Sequence, residues 1–314
     1  MAFDEDKVYV GKSQTWSMSR YNRFKECKRS YFLNYYAALT DPEIKRVSKL
    51  SSIPLWVGNV VHDYAESFLK TVARIPGPEE QEKIIRQITH GQMAQDWRFS
   101  EAGTKKFRLQ EHEYGVLITD REKRVAVGLA ITCMRNFFAS PVLAEMCEVG
   151  KKQWFPIEEL LSYDVLGTKT WVKMDAAYRG RDGRVVIADC KTGRTIGKTN
   201  QSQLVGYAAY AVQAGWAKTP EDVETILAYL AVPTYQAVKV TPAMVGKVRE
   251  LIGTSAMTMG NMIDSENHSG VGRDFPKDGP DWACRRCGFR GMCFPGKYQG
   301  RRGLPSLSAA DSST

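Results

Sequence analysis

The first half of the chain repeats apolar residues at helical intervals. After Pro54 they recur every three or four positions, as on one face of a helix, at Val57, Val61, Tyr64, Ala65 and Phe68. Similar patterns cover about 79–99 and 120–147. The sequence therefore predicts a large helical region over about residues 17–148.

An N-terminal helix rich in basic and aromatic residues is predicted to open this region. Ser17 or Ser19 can cap its start, and Asp41-Pro42 would end it near Leu39. Cations and rings of this kind bind the phosphates and bases of single strands, but rings packed beneath a solvated basic face are the more ordinary arrangement. We expect inward packing for Trp16, Tyr21, Phe24, Tyr31, Phe32 and Tyr35.

The pattern changes to that of strands near residue 149. Segments 149–157 and 169–179 alternate apolar and polar positions. The turn Arg181-Asp182-Gly183 then leads into an apolar strand that ends at Cys190. Beyond it we predict a helix, two strands, a helix and a Gly/Asp/Pro-rich linker at about 200–214, 223–231, 236–241, 242–263 and 264–280.

These elements predict a mixed α/β fold of the α+β type, a core sheet flanked by helices. We expect a single domain over residues 1–296, in which the helical region precedes a core at about 149–241. A C-terminal helix and a cysteine-containing segment follow at 242–296. The basic, then Ser/Ala-rich tail 297–314 is predicted to be disordered.

Composition excludes several classes of protein. The chain has 314 residues, of which 43% are hydrophobic and 25% charged, as in globular proteins. No apolar run reaches the length of a membrane span, and no signal-peptide pattern is present, so we expect no membrane partner. An odd number of cysteines without a secretory signal favours metal ligation in a reducing cytoplasm, that of the host if the chain is phage-encoded.

The net charge of +9 favours a polyanionic partner. Basic residues crowd the N-terminal helix and the C-terminal cysteine segment. The candidate contacts to nucleic acid are Arg20, Arg23, Arg285 and Arg286.

Three cysteines near the C-terminus have the spacing of a metal-binding segment. They read Cys284-x2-Cys287-x5-Cys293, and three thiolates leave a tetrahedral site one ligand short. Cys27, far upstream, is the candidate fourth ligand. Zinc is one alternative, but zinc ribbons usually supply a second close pair, so iron–sulfur is favoured.

The strongest catalytic signal is Asp189-Cys-Lys191 at the end of an apolar strand. Side chains alternate along a strand, so Asp189 and Lys191 share one face and Cys190 takes the other. A carboxylate beside an ammonium suits metal-assisted hydrolysis, in which Asp189 holds the cation and Lys191 orients or deprotonates water. Surface ion pairs have the same spacing, so the motif alone is weak.

The preceding hairpin adds a second carboxylate if its loop has three residues. With Gly183 left-handed in the last loop position, Gly180 faces Arg184 and Asp175 lies opposite Asp189. A two-residue loop would instead pair Asp175 with Cys190.

Two helices carry further candidates. His62 follows Gly58-Asn-Val-Val with Glu66 one turn later, although a lone histidine on such a helix is more often structural. Gln203 and Tyr207 are four residues apart and face the same way, as residues that only pack on a sheet also do.

One glycine-rich stretch is a decoy. Gly193-Arg-Thr-Ile-Gly197-Lys198-Thr199 follows a strand and precedes a helix, as a phosphate-binding P-loop does. That motif has four residues between its glycines and this stretch has three, so we do not expect a nucleotide-binding loop.

Taken together, the motifs resemble RecB-like nucleases of the PD-(D/E)XK superfamily. Gly58-x3-His62, Asp175, Asp189-Cys-Lys191-Thr-Gly and Gln203-x3-Tyr207 occur in that family's order. The remote cysteine with the C-terminal triplet resembles its iron–sulfur branch, which includes CRISPR-associated and phage-encoded exonucleases and the AddB nuclease domain. One departure is Lys173-Met-Asp-Ala, where relatives often carry Asp-Arg-x-Asp.

The resemblance implies a restriction-endonuclease-like core and assigns roles to the candidates. It places Mg²⁺ or Mn²⁺ on His62, Asp175, Asp189 and the carbonyl of Cys190, with Lys191 activating water. Gln203 and Tyr207 would steady the site or the DNA backbone. A [4Fe–4S] cluster would be held by Cys27, Cys284, Cys287 and Cys293.

The expected function is that of a divalent-metal-dependent DNA exonuclease on single-stranded ends, 5′ to 3′ by resemblance. The alternative is a non-catalytic or partner-dependent DNA-binding subunit of a recombination or replication complex with a structural metal centre. Homo-oligomers and partners from recombination or replication are both compatible with the sequence. It does not specify whether the pathway is phage replication, recombination and repair, CRISPR adaptation or defence.

Overall fold

The computed structural model describes residues 3–71, 74–194, 201–264 and 266–300. Its strands are β1 (Val8–Val10), β2 (Leu161–Val165), β3 (Thr168–Val172), β4 (Ala176–Arg179), β5 (Val185–Lys191), β6 (Val223–Tyr229), β7 (Thr234–Lys239) and β8 (Ser269–Val271). Its helices are α1 (Met18–Glu26), α2 (Lys28–Phe32), α3 (Ala38–Thr40), α4 (Pro42–Ser48), α5 (Ile53–Thr71), α6 (Pro78–Arg86), α7 (Ala94–Glu101), α8 (Gln110–Glu113), α9 (Asp120–Phe138), α10 (Pro141–Val149), α11 (Gln201–Gln213), α12 (Pro242–Gly260), α13 (Asp281–Arg286) and α14 (Arg290–Cys293). Leu33–Ala37 and Gln87–Met93 are π-helical.

The chain divides into two compact units whose segments alternate in sequence. The first unit comprises Met1–Trp56, Gln95–Ala126 and Thr254–Thr314. The second unit comprises Val57–Ala94 and Val127–Gly253. Strands β1 and β8 pair in the first unit, and the other strands lie in the second. The division of the chain into one domain over 1–296 stays a prediction.

A four-stranded sheet forms the core of the second unit. Its order is β4-β5-β6-β7, with β5 and β6 parallel and both outer pairs antiparallel. Because β5 is central, its residues Val185, Val186, Ile187 and Ala188 are buried, which explains the unbroken apolar run in the sequence. The predicted mixed α/β fold is confirmed.

The hairpin of β4 and β5 has the register predicted from its turn. Ala176 pairs with Ala188 and Arg179 with Val185, so the three-residue loop is confirmed. The Gly180 N–H donates to the Arg184 carbonyl at 2.8 Å. Gly183 has a φ of +83°, in the left-handed region that favours glycine.

The single strand predicted over 169–179 is wrong, because the structure has two strands there. Strand β3 pairs with β2 in a separate hairpin, whereas β4 belongs to the core sheet. Between them, at Lys173–Asp175, the backbone leaves both ladders. Strand β2 was not predicted. The two-residue turn that joins it to β3 is Leu166-Gly167, both with positive φ, and the glycine between two alternating segments is the sequence signal that could have revealed it.

The strand predicted over 149–157 is also wrong. Helix α10 continues to Val149, and Gly150, with a φ of +78°, ends it. The chain then runs beside β4 without forming a regular strand: Trp154 bridges Tyr178, and the Phe155 N–H donates to Ala177 at 2.9 Å. Pro156 cannot donate a ladder hydrogen bond, which accounts for the irregularity.

The N-terminal helix is interrupted where the sequence predicts continuity to Leu39. Ser17 caps α1 by accepting from the Arg20 N–H, as predicted, but Cys27 is extended with φ −165° and ψ 118°. The N–H groups of Lys28 and Arg29, exposed by this break, donate to Asp278 and to the Pro276 carbonyl. Inward packing is confirmed for four of the six aromatic rings, with Trp16, Phe24, Tyr31 and Phe32 buried. The other two, Tyr21 and Tyr35, are half-buried.

Other predicted bounds shift by a few residues. Pro141 starts a new helix within the pattern predicted over 120–147. The predicted linker 264–280 contains β8, and the predicted tail begins too early, because Tyr298 is buried and the Gly300 N–H donates to Tyr114. The rest of the tail and the decoy residues Gly197-Lys198-Thr199 lie outside the described residues.

Among the described residues, no single helix is long and apolar enough to cross a membrane. Helices α9 and α10, bent by 42° at their junction, satisfy the length and composition limits only as a pair.

Two glycines of the second unit should respond in opposite ways to replacement by alanine. Gly183 occupies the left-handed last position of the β4–β5 loop, whereas Gly246 lies within helix α12. We expect Gly183→Ala to lower the free energy of unfolding by about 1 kcal/mol, because alanine is strained in the left-handed region. Gly246→Ala should raise it by up to about 1 kcal/mol, since Gly246 is exposed in α12 with open space around it. Urea unfolding measures the change in free energy of unfolding for both variants. Equal changes would contradict the left-handed Gly183 on which the assigned hairpin register depends.

Candidate active site

Four parts of the second unit meet at one end of β5. Asp189 and Lys191 lie at the end of that strand, and Asp175 lies just before β4. His62 comes from α5 and Tyr207 from α11. The structure therefore brings together candidates that are widely separated in the sequence.

Asp189 carries a buried charge that is incompletely compensated. Only 3% of the residue is exposed. Burial and the neighbouring Asp175 charge raise the pKa of Asp189 to about 6, against the opposing effect of Lys191. Its Oδ2 lies 2.5 Å from the Lys191 Nζ, but accepts no hydrogen bond of normal direction from the described residues. The carboxylate therefore has capacity for a further cation.

His62, Glu158 and Asp175 form a group of possible metal ligands. One ligand atom from each lies within 4.8 Å of the others, and Nδ1 of His62 is 3.5 Å from both carboxylates. Burial opposes protonation of His62, but hydrogen bonds to Asp175 and Glu158 raise its pKa to about 10. A bound cation would have to displace that proton, since only the neutral imidazole ligates.

Glu158 is a site residue that sequence reasoning missed. Its side chain is 5% exposed and its φ is +56°, unusual for a residue other than glycine. The Glu158 N–H donates to the Met174 carbonyl at 2.8 Å, which holds it beside the break before Asp175. No spacing rule connects Glu158 to the motif residues, so only the three-dimensional structure reveals it.

The donor set fits a hard divalent cation. Carboxylate oxygens and one imidazole are ligands of Mg²⁺ and Mn²⁺, and the buried Asp189 carboxylate, paired only with Lys191 among the described residues, offers a further acceptor beside the group. The close group of three consists of His62, Glu158 and Asp175. The predicted ligand Asp189 is not a member, and Glu158, which was not predicted, is. Glu66, one turn after His62, pairs with Lys70 at 2.5 Å.

Apolar residues surround this end of the sheet and limit solvent screening of its charges. The cavity that His62, Glu158, Asp175 and Cys190 line also contains Glu66 and Ser140. The rest of its wall is apolar and includes Val61, Ala65, Leu69, Phe137, Val142, Leu143, Met146 and Leu230. The interactions between these carboxylates and their partners are therefore stronger than they would be in water.

Gln203 and Tyr207 hold the backbone that precedes Asp175. Gln203 donates through Nε2 to the Tyr207 hydroxyl, and Tyr207 donates to the Lys173 carbonyl at 2.6 Å. Tyr207 is buried, and burial together with the charges of Asp189 and Asp175 raises its pKa well above normal. The two side chains therefore hold the backbone at Lys173 by hydrogen bonds, and their role in the site stays a prediction.

Cys190 contributes a backbone contact. Its N–H donates to Asp175 Oδ2 at 2.6 Å, which ties the two strands together at the site. Ligation by its carbonyl stays a prediction.

The four arginines predicted to contact nucleic acid differ in whether their side chains are already engaged by other groups of the protein. Arg20 and Arg23 donate to groups of their own N-terminal segment, and Arg285 lies 2.5 Å from Asp281. Arg286 is exposed and faces the ring of Trp282 at 5.9 Å. DNA binding by these four arginines stays a prediction.

Comparison with known proteins identifies one family. The model of the PD-(D/E)XK nuclease superfamily matches residues 15–294. None of the curated proteins matches the sequence. A solved structure described as "Crystal structure of SSO0001" is 15% identical, with a TM-score of 0.31 over 75% of this chain and 94% of the other.

The geometry predicts that Glu158 contributes to metal affinity. We expect Glu158→Gln to weaken Mn²⁺ binding about tenfold or more, because the amide removes one anionic ligand. Its exposed neighbour provides a matched control, since Glu159→Gln removes the same charge. Titration calorimetry with Mn²⁺ measures both, and equal affinities in the two variants would remove Glu158 from the site.

Proposed function

The chain belongs to the PD-(D/E)XK nuclease superfamily, and we propose that it is a metal-dependent DNA exonuclease of the RecB-like iron–sulfur branch. The observation that carries this proposal is the convergence of Asp175, Asp189 and Lys191 with His62 and Glu158. A complete set of ligands and a lysine favours a catalyst over a non-catalytic DNA-binding subunit.

The residues of the site have separable tasks in hydrolysis. Bound Mg²⁺ or Mn²⁺ supplies an acidified water and neutralises phosphate charge. His62, Glu158, Asp175 and Asp189 would hold the ion. Lys191 presents its ammonium at the end of β5, where it orients the attacking water or, once deprotonated, accepts its proton.

Tyr207 contributes by positioning. Its hydroxyl fixes the Lys173 carbonyl, and so the chain that leads into Asp175. Its buried phenol stays protonated at neutral pH, because burial and two nearby carboxylates oppose the phenolate and so raise its pKa. It therefore remains a hydrogen-bond donor throughout the working pH range.

We assign single-stranded DNA ends, cut 5′ to 3′, as the substrate and polarity. The net charge of +9 supports a polyanionic substrate, and the motif resemblance supports the end specificity and the direction. Linear and circular single strands, labelled at either end, separate these assignments experimentally.

Loss of either catalytic group should abolish cleavage. We expect Asp189→Asn and Lys191→Met each to lower the rate of nucleotide release with Mn²⁺ about a thousandfold or more, because the first removes an anionic metal ligand and the second the ammonium that orients the attacking water. Lys239→Met, exposed on β7, is the charge-matched control. Normal rates in both site variants would refute the nuclease, and efficient cutting of circular strands would refute the exonuclease.

We further propose that the four cysteines bind a [4Fe–4S] cluster in the first unit. Cys284 Sγ lies 3.4 Å from the Gly279 carbonyl, and a Cβ built on Gly279 would lie 3.5 Å from Cys27 Sγ. Burial raises the pKa of Cys284, and the charges of Cys27 and Cys287 add to the rise. The thiols of Cys27 and Cys287 are therefore close enough to Cys284 for their charges to affect it.

The four sulfurs are not grouped closely enough in this structure to hold a single zinc ion. Tetrahedral zinc with Zn–S bonds of about 2.3 Å needs sulfurs about 3.8 Å apart. No three of these four sulfurs, all within the described residues, lie within 4.8 Å of one another. Burial raises the pKa of Cys293 to about 12, and the charge of Cys287 adds to the rise, so a bound metal would have to displace the thiol proton.

Replacement of Cys27 tests the cluster. We expect Cys27→Ala purified without oxygen to lose most of its iron and its broad visible absorption, because one of four ligands is gone. Cys147→Ala changes a half-buried cysteine of the second unit and should keep both. A wild-type protein that is colourless and contains zinc would contradict the cluster, and unchanged iron in Cys27→Ala would exclude Cys27 as a ligand.

A further inference from the structure

Lys173 is a rim residue of the candidate active site with no role assigned so far. Its ammonium forms an ion pair with Glu158, a carboxylate of the metal-ligand group. The two partners differ in exposure: 51% of the Lys173 side chain is accessible, against 5% for Glu158. The pair therefore joins a buried ligand to a cation at the surface.

The Lys173 side chain can move without disturbing the site. Tyr207 holds the Lys173 carbonyl at 2.6 Å, and the next residue, Met174, is fully buried. The backbone after the side chain is thus fixed, and Val172 before it pairs with Leu161 in the β2–β3 hairpin, while four flexible methylene groups carry the ammonium. A change of partner requires only rotation about the side-chain bonds.

The surroundings of Lys173 are acidic. Besides Glu158, the carboxylates of Glu66 and Asp175 act on its ammonium, and Lys173 in turn acts on Asp63. A rim of this charge repels phosphate groups unless cations neutralise it. Lys173 can therefore serve the metal ligands or a phosphate, but its single charge cannot fully serve both.

We propose that Lys173 is a metal-gated phosphate contact: it neutralises Glu158 in the metal-free protein and is released to bind a DNA phosphate when a divalent cation takes Glu158. This inference rests on the proposed nuclease function, and it adds a reason why DNA binding at the site should depend on the metal. The cation and the ammonium compete for the same carboxylate, so removal of the ammonium strengthens metal binding and weakens DNA binding. A purely structural ion pair gives no such opposite signs.

The test is Lys173→Met, which keeps the length of the side chain and removes its charge. Titration calorimetry of the metal-free protein should show Mn²⁺ affinity about three- to tenfold higher than in the wild type, because a competing ion pair is lost. Binding of a labelled single-stranded oligonucleotide is then measured by anisotropy at several salt concentrations, with Ca²⁺ or with EDTA. The slope of log affinity against log salt should fall by about 0.7 with Ca²⁺ and stay unchanged with EDTA.

Lys169→Met is the matched control. Lys169 lies on β3 with its ammonium 4.3 Å from the centre of the Trp171 ring, so the variant loses the same charge without freeing a carboxylate of the ligand group. Its Mn²⁺ affinity should equal that of the wild type, and any change in salt slope should be the same with Ca²⁺ and with EDTA.

Two results overturn the inference. Mn²⁺ affinity in Lys173→Met that is unchanged or weaker shows that Lys173 does not compete for Glu158. A salt slope that falls equally with Ca²⁺ and with EDTA shows a contact that the metal does not gate. Failure of the nuclease proposal is distinguishable, since the wild type would then not cut the oligonucleotide with Mn²⁺, whether or not it bound it.

Discussion

Compensation of the buried Asp189 charge is the constraint on which the second unit depends. Strand β5 lies inside the sheet, between β4 and β6, and only 3% of Asp189 is exposed. The hairpin register then places Asp175 beside it, which adds a second negative charge in a weakly screened environment. Burial of unpaired charge is costly, so these carboxylates need cations, and the fold supplies Lys191 and leaves acceptor capacity for a metal.

The site is built where backbone groups leave the regular ladders. The Lys173 carbonyl accepts from Tyr207, the Met174 carbonyl accepts from Glu158, and the Cys190 N–H donates to the Asp175 carboxylate. Each of these groups would otherwise pair within a strand, so the break between β3 and β4 is stabilised by the site itself. Buried backbone groups must be paired, and here the pairing also fixes the ligands.

Local rules predicted the parts of this site that depend on local geometry. A glycine in the last loop position sets the hairpin register, and that register, continued one residue beyond the Ala176–Ala188 pair, leads Asp175 towards Asp189. Glu158 could not be predicted, because its position follows from one backbone hydrogen bond to Met174 across an irregular segment. The break at Lys173–Asp175 was equally hidden, since the alternating pattern of 169–179 continues through it and the partners that cause the break come from elsewhere in the chain.

The interruption of the N-terminal helix at Cys27 follows the same physical rule in the first unit. The N–H groups freed there are satisfied by Pro276 and Asp278, and the Arg29 side chain donates to the Phe275 carbonyl at 2.8 Å. These contacts tie the N-terminal helix to the segment before Cys284 without any inorganic group. The protein's own polar contacts thus fix the backbone on both sides of Cys27. Loss of the cluster should therefore remove iron and some stability, while the two ends of the chain keep their polar contacts.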